Sequence, residues 1–526
     1  MAKKTLGILL WVAALILLFG LYTWGISKNP PGFHLDESAT AYHAYLVSRT
    51  GHGEFGPRFP VLIQDYAVSH PSYFNPLGIY SLAIVFRFLP PSILVARMFS
   101  AFWMFAACLL LGVLAKRISG QRTIGMIVAG SALLTPWFFE IGRLVWDVHF
   151  FAFTIVVFLL AAYRIQSKER WRWQEIAMVA GSLAIITYGY LSGRALTPLL
   201  ALGLLFFATT KHRLVGVVKI WLAYSLTLVP LILFNRSHPG VVTKRLWEVT
   251  YIKPGTPWKD IPSEFAEFVR CYLQDQSLSP LLLTGDGHWP HHVEGSGGAI
   301  LFATFILAMA GLMLAIARRW REPWWRFVLY GLATSIVPGA IADWPFHQPR
   351  LMGYAVFLLV LTVPALEWLL APGARQRVAR RQSEETAEWE ADRLNVNRSS
   401  LPHSIRLAVL VLLLTATVLQ AIDFQSTFWR EGPKRDFAFD VLYKPLYDAA
   451  VARPERPIYL ENGQWGPAYM HAYWYATVER RPISEFVRIP DGTQPPPGAI
   501  VLSSNSNCQN CEIIQKSGAY LLYRAK

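Results

Sequence analysis

The sequence predicts an all-α polytopic membrane protein of about eleven transmembrane helices, followed by a small C-terminal α/β domain. Three observations predict it. Of 526 residues, 53% are hydrophobic and only 16% are charged, a balance foreign to a soluble chain of this length. The apolar residues gather into runs near the roughly 20 that a bilayer core requires. From residue 424 onward the runs stop, and short apolar stretches alternate with turns.

The first run extends from Thr5 to Ile26. Lys3 and Lys4 precede it and no small-residue cleavage site follows, so it reads as a retained anchor with a cytoplasmic start. Further spans are expected at 97–116, 121–138, 148–165, 175–190, 194–210, 214–234, 299–317, 325–341, 351–371 and 404–423. Residues 77–89 (LGIYSLAIVFRFL) are apolar but short, contain Arg87, and lie between Pro76 and Pro90-Pro91. A stretch of about 10–14 residues suits the interface better than a crossing. The basic loops decide the matter. With 77–89 on the outer surface, the loops carrying Lys116-Arg117-Arg122, Lys168-Arg170-Arg172, Lys211-His212-Arg213 and Arg318-Arg319-Arg321-Arg326 all fall inside. The external face then receives the 27–96 loop, Glu140–Asp147, the 235–298 loop, Asp343–Arg350 and the tail. The mixed-charge loop 372–403 is cytoplasmic and is expected to be a solvated helix without chemistry.

This divides the chain into a membrane domain, 1–423, and a soluble extracytoplasmic domain, 424–526. In the tail, 436–453 has helical spacing, and Pro457–Leu460, Ala499–Leu502 and Tyr520–Tyr523 read as strands. Cys508 and Cys511 form a CxxC on the oxidising side. A local disulfide is the leading reading there, ahead of free thiols or a redox or zinc motif, since no second ligand pair is evident.

The formal charge is +15, from 49 Lys+Arg against 34 Asp+Glu. The bases lie in short loops between apolar runs, so topology and anionic lipid explain them, and no nucleic-acid partner is expected. Carboxylates beside spans are costly to desolvate and mark sites for substrates, ions or protons. Asp36 and Glu37 stand about ten residues after the first run, and Arg143 and Asp147 follow the run that ends near Trp137. Plainer readings exist for each. Asp36 and Glu37 can cap a helix starting near Ser38; Asp147 can pair with Arg143 at i,i+4; Arg350 can snorkel to headgroups. His288, His291 and His292 look metal-like, but Pro290 interrupts them and no clear ligand set results. No cofactor or metal is expected.

The order of motifs resembles the bacterial branch of the GT-C membrane glycosyltransferases, the clan of protein O-mannosyltransferases and the lipid A aminoarabinose transferase. The matching residues are Asp36-Glu37, Ala41 to Leu46, Thr50-Gly51, Gly56 and Pro60 in the first loop, then Pro76-Leu77 and Ala96-Arg97. Pro136-Trp137, Arg143, Asp147, Thr187-Tyr188, Arg194, Pro198, Gly285-Asp286 and His347 with Arg350 complete the series, which covers roughly 5–370. One departure concerns donor binding. Many relatives carry a lysine before the proline-leucine, where this chain has Phe74-Asn75-Pro76; His70 or an arginine from elsewhere is expected to supply the cation.

The resemblance implies transfer of a sugar from a polyprenyl-phosphate-type donor to an acceptor hydroxyl, on lipid, glycan or protein, at the outer face of the cell membrane. An acceptor hydroxyl needs a base, a task suited to a positioned carboxylate. Asp36 is expected to be that base, with Glu37 and Asp147 completing the catalytic set. Guanidinium groups suit the departing phosphate. Arg350 is the first candidate, followed by His347, Arg194 and Arg143. A single displacement predicts inversion at the anomeric carbon. A transporter or flippase, or a non-catalytic envelope-polysaccharide assembly protein, is the alternative; a transporter would instead place its charges within spans.

Overall fold

Residues 2–68, 72–253, 255–257, 260–371, 401–463, 466–490, 493–508 and 510–526 are described by the structure, a computed structural model. The chain begins with α1 (Ala2–Tyr22), α2 (Leu35–Thr50), a hairpin of β1 (Ile63–Gln64) and β2 (Tyr73–Phe74), and α3 (Pro76–Phe88). There follow α4 (Ile93–Ser119), α5 (Arg122–Leu134), α6 (Pro136–Ile141), α7 (His149–Gln166), α8 (Trp173–Gly189) and α9 (Leu191–Gly203). Next come α10 (Lys211–Thr227), α11 (Val229–Ser237), α12 (Val241–Val249), α13 (Ile261–Gln274), α14 (Phe302–Arg319), α15 (Pro323–Thr334) and α16 (Val337–Ala340). The last membrane-region helices are α17 (Met352–Leu370) and α18 (His403–Glu431).

Among the described residues, six segments are long and apolar enough to cross a membrane: Ile93–Ser119, His149–Gln166, Lys211–Ser237, Phe302–Arg319, Met352–Leu370 and His403–Lys434. The other expected spans coincide with shorter or broken helices, and prolines stand at two of the breaks. The run 121–138 divides at Thr135, whose extended backbone precedes Pro136, because a residue before proline avoids the α region. Pro338 lies in the first turn of the separate α16, after α15 ends at Thr334. Helix α17 is the central element, buried along nearly its whole length. By contrast α1 leaves Leu9, Leu10, Trp11, Ile16 and Leu17 exposed, a face suited to lipid. Helices α4 and α5 approach closely through Gly112 and Gly125; a Cβ at Gly112 would lie 2.5 Å from the Gly125 carbonyl oxygen.

Helix α3, the segment expected at the interface, is 13 residues long, too short for the core at about 1.5 Å per residue. Its Ile79, Leu82, Ala83 and Phe86 are buried, while Ile84 and Phe88 are exposed. Most of the mixed-charge loop, 372–400, lies outside the described residues, as does His70.

In the tail, α18 runs on to Glu431 instead of ending at 423. It is followed by α19 (Tyr443–Val451), β3 (Ile458–Glu461), α20 (Tyr469–Val478), β4 (Phe486–Ile489), β5 (Ile500–Ser503), β6 (Cys511–Ser517) and β7 (Tyr520–Ala525). The sheet order is β4-β3-β5-β7-β6, with β4, β3 and β5 parallel and β5, β7 and β6 antiparallel. The expected strands are β3, β5 and β7; β4 and β6 are additional. Cys508 and Cys511 form the expected disulfide. The tail packs against the first loop: Trp474 stacks on Phe33 and Phe86, in one apolar core with α2 and α3.

Candidate active site

Helix α2 starts the site. His34 is its N-cap: its Nδ1 accepts the Asp36 amide at 3.1 Å, while the His34 amide donates to Glu37 Oε2 at 3.0 Å, the reciprocal arrangement of a capping box. Gly51 ends the helix in the left-handed conformation, φ 77°. These caps aim Asp36 and Glu37 in different directions.

Asp36 faces a cleft of about 650 Å³ lined by the first loop, the start of α9 and the loops around Arg245, His288 and Arg350. Its side chain is 46% exposed, and Oδ1 accepts the Tyr66 hydroxyl at 2.5 Å. Glu37 does not reach the cleft. It is fully buried against Arg97, receiving Nε at 3.1 Å and Nη2 at 2.8 Å, and it also accepts the Val145 amide at 3.1 Å. Arg97 donates in addition to the carbonyls of Ile26, Pro30 and Gly32. The carboxylate therefore has no free acceptor face for a substrate proton, and its work is to fasten α2 to α4 and the first loop.

Asp147 lines the cleft beside Asp36 and Asp65. It is not paired with Arg143, because 142–148 form turns instead of a helix. Asn75 Nδ2 donates to Asp147 Oδ2 at 2.6 Å, and Arg194 Nη2 donates to Asn75 Oδ1 at 2.6 Å. Burial pushes the Asp147 carboxyl up to about 6, against the Asn75 hydrogen bond that lowers it. Asn75 thus joins an acid to an arginine.

Arg143 points away from the cleft. Buried among Phe139, Phe428 and Trp429, it donates to the carbonyls of Asn29, Tyr22 and Trp24, closing the C-terminal end of α1. Unpaired carbonyls at that end supply its partners. Arg194, Arg350 and His347 do line the cleft, together with Arg245. Arg350 Nη1 has no hydrogen-bond partner among the described residues. Burial, with repulsion from His291 and Arg350, holds the His347 imidazole well below its ordinary value.

Of the metal-like histidines, His288 stacks on His291 at 4.4 Å, while His292 turns elsewhere. His292 Nδ1 meets Glu140 at 2.6 Å, whereas His291 Nδ1 meets Asp286 Oδ2 at 2.7 Å. Ligand atoms of Asp286, His291 and His347 lie within 4.8 Å of one another, a set able to hold a divalent ion, with a carboxylate and two imidazoles suited to zinc. The spacing of the three histidines pointed elsewhere because His347 comes from another loop.

Sequence reasoning missed Tyr66, Asp65, Asn75 and Arg245. Lys244-Arg245 carried a usable signal, two bases in a loop expected outside, where bases are scarce. Asn75 stood out only as a departure from the resembled motif, and Tyr66 and Asp65 had no signal.

No protein-family model matches the sequence, and no curated protein matches it significantly. Solved structures do. ArnT from Cupriavidus metallidurans in the apo state superposes with a TM-score of 0.54 at 14% identity, covering 98% of this chain and 98% of that one. The fold is that of ArnT. The same protein bound to undecaprenyl phosphate gives a TM-score of 0.53 at 12% identity, covering 98% and 97%. The ArnT fold extends over the C-terminal tail as well as the membrane helices.

Proposed function

We propose that this chain is a multi-pass glycosyltransferase of the cell membrane, moving a sugar from a polyprenyl-phosphate-type donor to an acceptor hydroxyl at the outer face. One observation carries the reading: a single cleft presents an open carboxylate, Asp36, and three guanidinium groups, Arg194, Arg245 and Arg350. The ArnT fold, seen in that protein with undecaprenyl phosphate bound, supports a lipid phosphate as the ligand, and aminoarabinose transferases belong to the clan that the motifs resemble.

In this reading the donor phosphate lies against the arginines. The acceptor oxygen attacks the anomeric carbon as the carbon–oxygen bond to phosphate breaks. Asp36 takes the hydroxyl proton, and the phosphate leaves with the bonding pair, its growing charge met by guanidinium hydrogen bonds. One displacement inverts the anomeric centre. Tyr66 orients Asp36, Asp147 and Asn75 orient Arg194, and Glu37 with Arg97 holds the helix that carries the base. The N-terminus is cytoplasmic and the tail extracytoplasmic.

The deciding experiment reconstitutes the purified chain in proteoliposomes with a panel of radiolabelled polyprenyl-phosphate sugars and candidate acceptors. Label transfer by wild type and not by Asp36→Asn is expected. Donor binding without transfer to any acceptor in the panel would favour a carrier instead.

A further inference from the structure

A second cavity, of about 560 Å³, lies away from the cleft, where the end of α2, the Pro90-Pro91 turn after α3 and the end of α20 meet. Three arginines line it: Arg49, Arg480 and Arg481. Arg481 is engaged by Glu479 at 3.1 Å and Glu485 at 3.6 Å. Arg49 and Arg480 form no ion pair among the described residues; Arg49 rests over the Tyr45 ring at 5.5 Å.

Cations near helix C-termini are expected from the helix dipole alone. The backbone at Arg480 is not. Helix α20 closes with Arg481 N–H bonded to the Ala476 carbonyl and Arg480 N–H to Thr477, the two bonds of a Schellman turn. The residue between them must be left-handed, a place glycine fills at least cost. Here it is Arg480, at φ 58°. A strained arginine kept at a glycine position, projecting into a cavity with another unpaired guanidinium, points to a bound anion.

The surroundings specify its class. Just before Pro90-Pro91, Ile84, Phe88 and Leu89 are 65%, 81% and 50% exposed, and Leu94 just after is 50% exposed. An apolar strip beside an arginine notch matches an amphiphile with an anionic head. Guanidinium forks bind phosphate oxygens in pairs, and the strip would take acyl chain. We infer that this notch is a binding site for an anionic phospholipid, with its phosphate between Arg49 and Arg480 and its chains along α3. The inference does not depend on the transfer reaction.

Native mass spectrometry of the full-length chain in detergent tests it, titrating dioleoylphosphatidylglycerol against dioleoylphosphatidylcholine. The first phosphatidylglycerol should bind wild type at least tenfold more tightly than phosphatidylcholine. Arg49→Gln/Arg480→Gln should abolish that preference, while Arg122→Gln/Lys211→Gln, in other basic loops, should keep it. Arg480→Gly separates binding from folding: it relieves the left-handed strain, so the melting temperature should hold or rise while the preference drops at least fivefold. Equal affinity of wild type for both lipids, or a lower melting temperature with unchanged preference in Arg480→Gly, would overturn the site. Displacement by sn-glycerol 3-phosphate at the lipid's own concentration would overturn the lipid assignment.

Discussion

Tyr66 donates its hydroxyl to Asp36 Oδ1 at 2.5 Å, tying the one open carboxylate of α2 to the loop that follows it. The loop is held in turn by the tail, where the Tyr469 hydroxyl accepts the Ala67 amide at 2.8 Å. Asp440 of the tail accepts the Leu35 amide at 3.0 Å at the start of α2. The candidate base is therefore oriented from both sides by segments remote in sequence.

Asp36→Asn should reduce transfer at least a hundredfold, the usual cost of losing a base, with donor affinity within about twofold. Tyr66→Phe should lower turnover about tenfold, since a hydrogen bond to a charged group is worth about 1.5–3 kcal/mol. Single-turnover assays alongside donor titration separate the two effects. Retention of more than a tenth of wild-type turnover by Asp36→Asn would remove it from the base role.

Glu37→Gln should damage folding ahead of chemistry. Breaking one partner of a buried pair leaves Arg97 uncompensated, at a cost of about 3–5 kcal/mol. The expected result is a large drop in melting temperature and yield, with the surviving protein keeping near-normal KM. A Glu37→Gln protein that folds like wild type but is inactive would restore Glu37 to the chemistry.

Arg350→Lys and Arg245→Gln should each weaken a short-chain donor analogue about tenfold or more, because lysine keeps the charge but not the paired geometry. Arg143→Lys should leave donor affinity unchanged and lower stability, as its partners are the α1 carbonyls. Fluorescence titration with the analogue distinguishes them; equal affinity of Arg350→Lys and wild type would return Arg350 to a structural role.

The Asp147 carboxyl, raised by burial to about 6, loses its charge as pH falls through that value. Its hold on Asn75 and hence on Arg194 weakens, so kcat/KM should fall below about pH 6, and Asp147→Asn should remove that limb at a low, flat rate. Stability should move oppositely. A carboxyl with a raised folded value binds more protons folded than unfolded, so stability drops as pH rises through it. Glu54 and Asp275, each pushed by burial to about 7, act in the same direction. Scanning calorimetry between pH 7 and 5.5 should therefore show no loss of melting temperature from these groups while activity declines.

For sidedness, a cysteine at exposed Lys516, with the native cysteines replaced, should react with an impermeant thiol reagent in intact cells, and one at Lys211 should not. The reverse pattern would invert the proposed orientation.

The membrane character, the helical segments, the short α3 and the three principal strands of the tail were legible in the sequence, because hydrophobic run length and alternation are local properties. The prolines that break 121–138 and 325–341 were visible, but whether a proline bends or ends a helix depends on what packs against it. Asp36 was legible as a carboxylate just outside a span. Its neighbour Glu37 carried the same signal, and only packing separated them: a one-residue step around α2 turns one acid to the cleft and the other to Arg97. Arg143 and Asp147 looked paired by spacing, yet no helix joins them. Tyr66, Asp65 and the meeting of Asp286 and His291 with His347 came from tertiary structure alone, because such neighbours are fixed by which loops pack together, and chain separation carries no record of that.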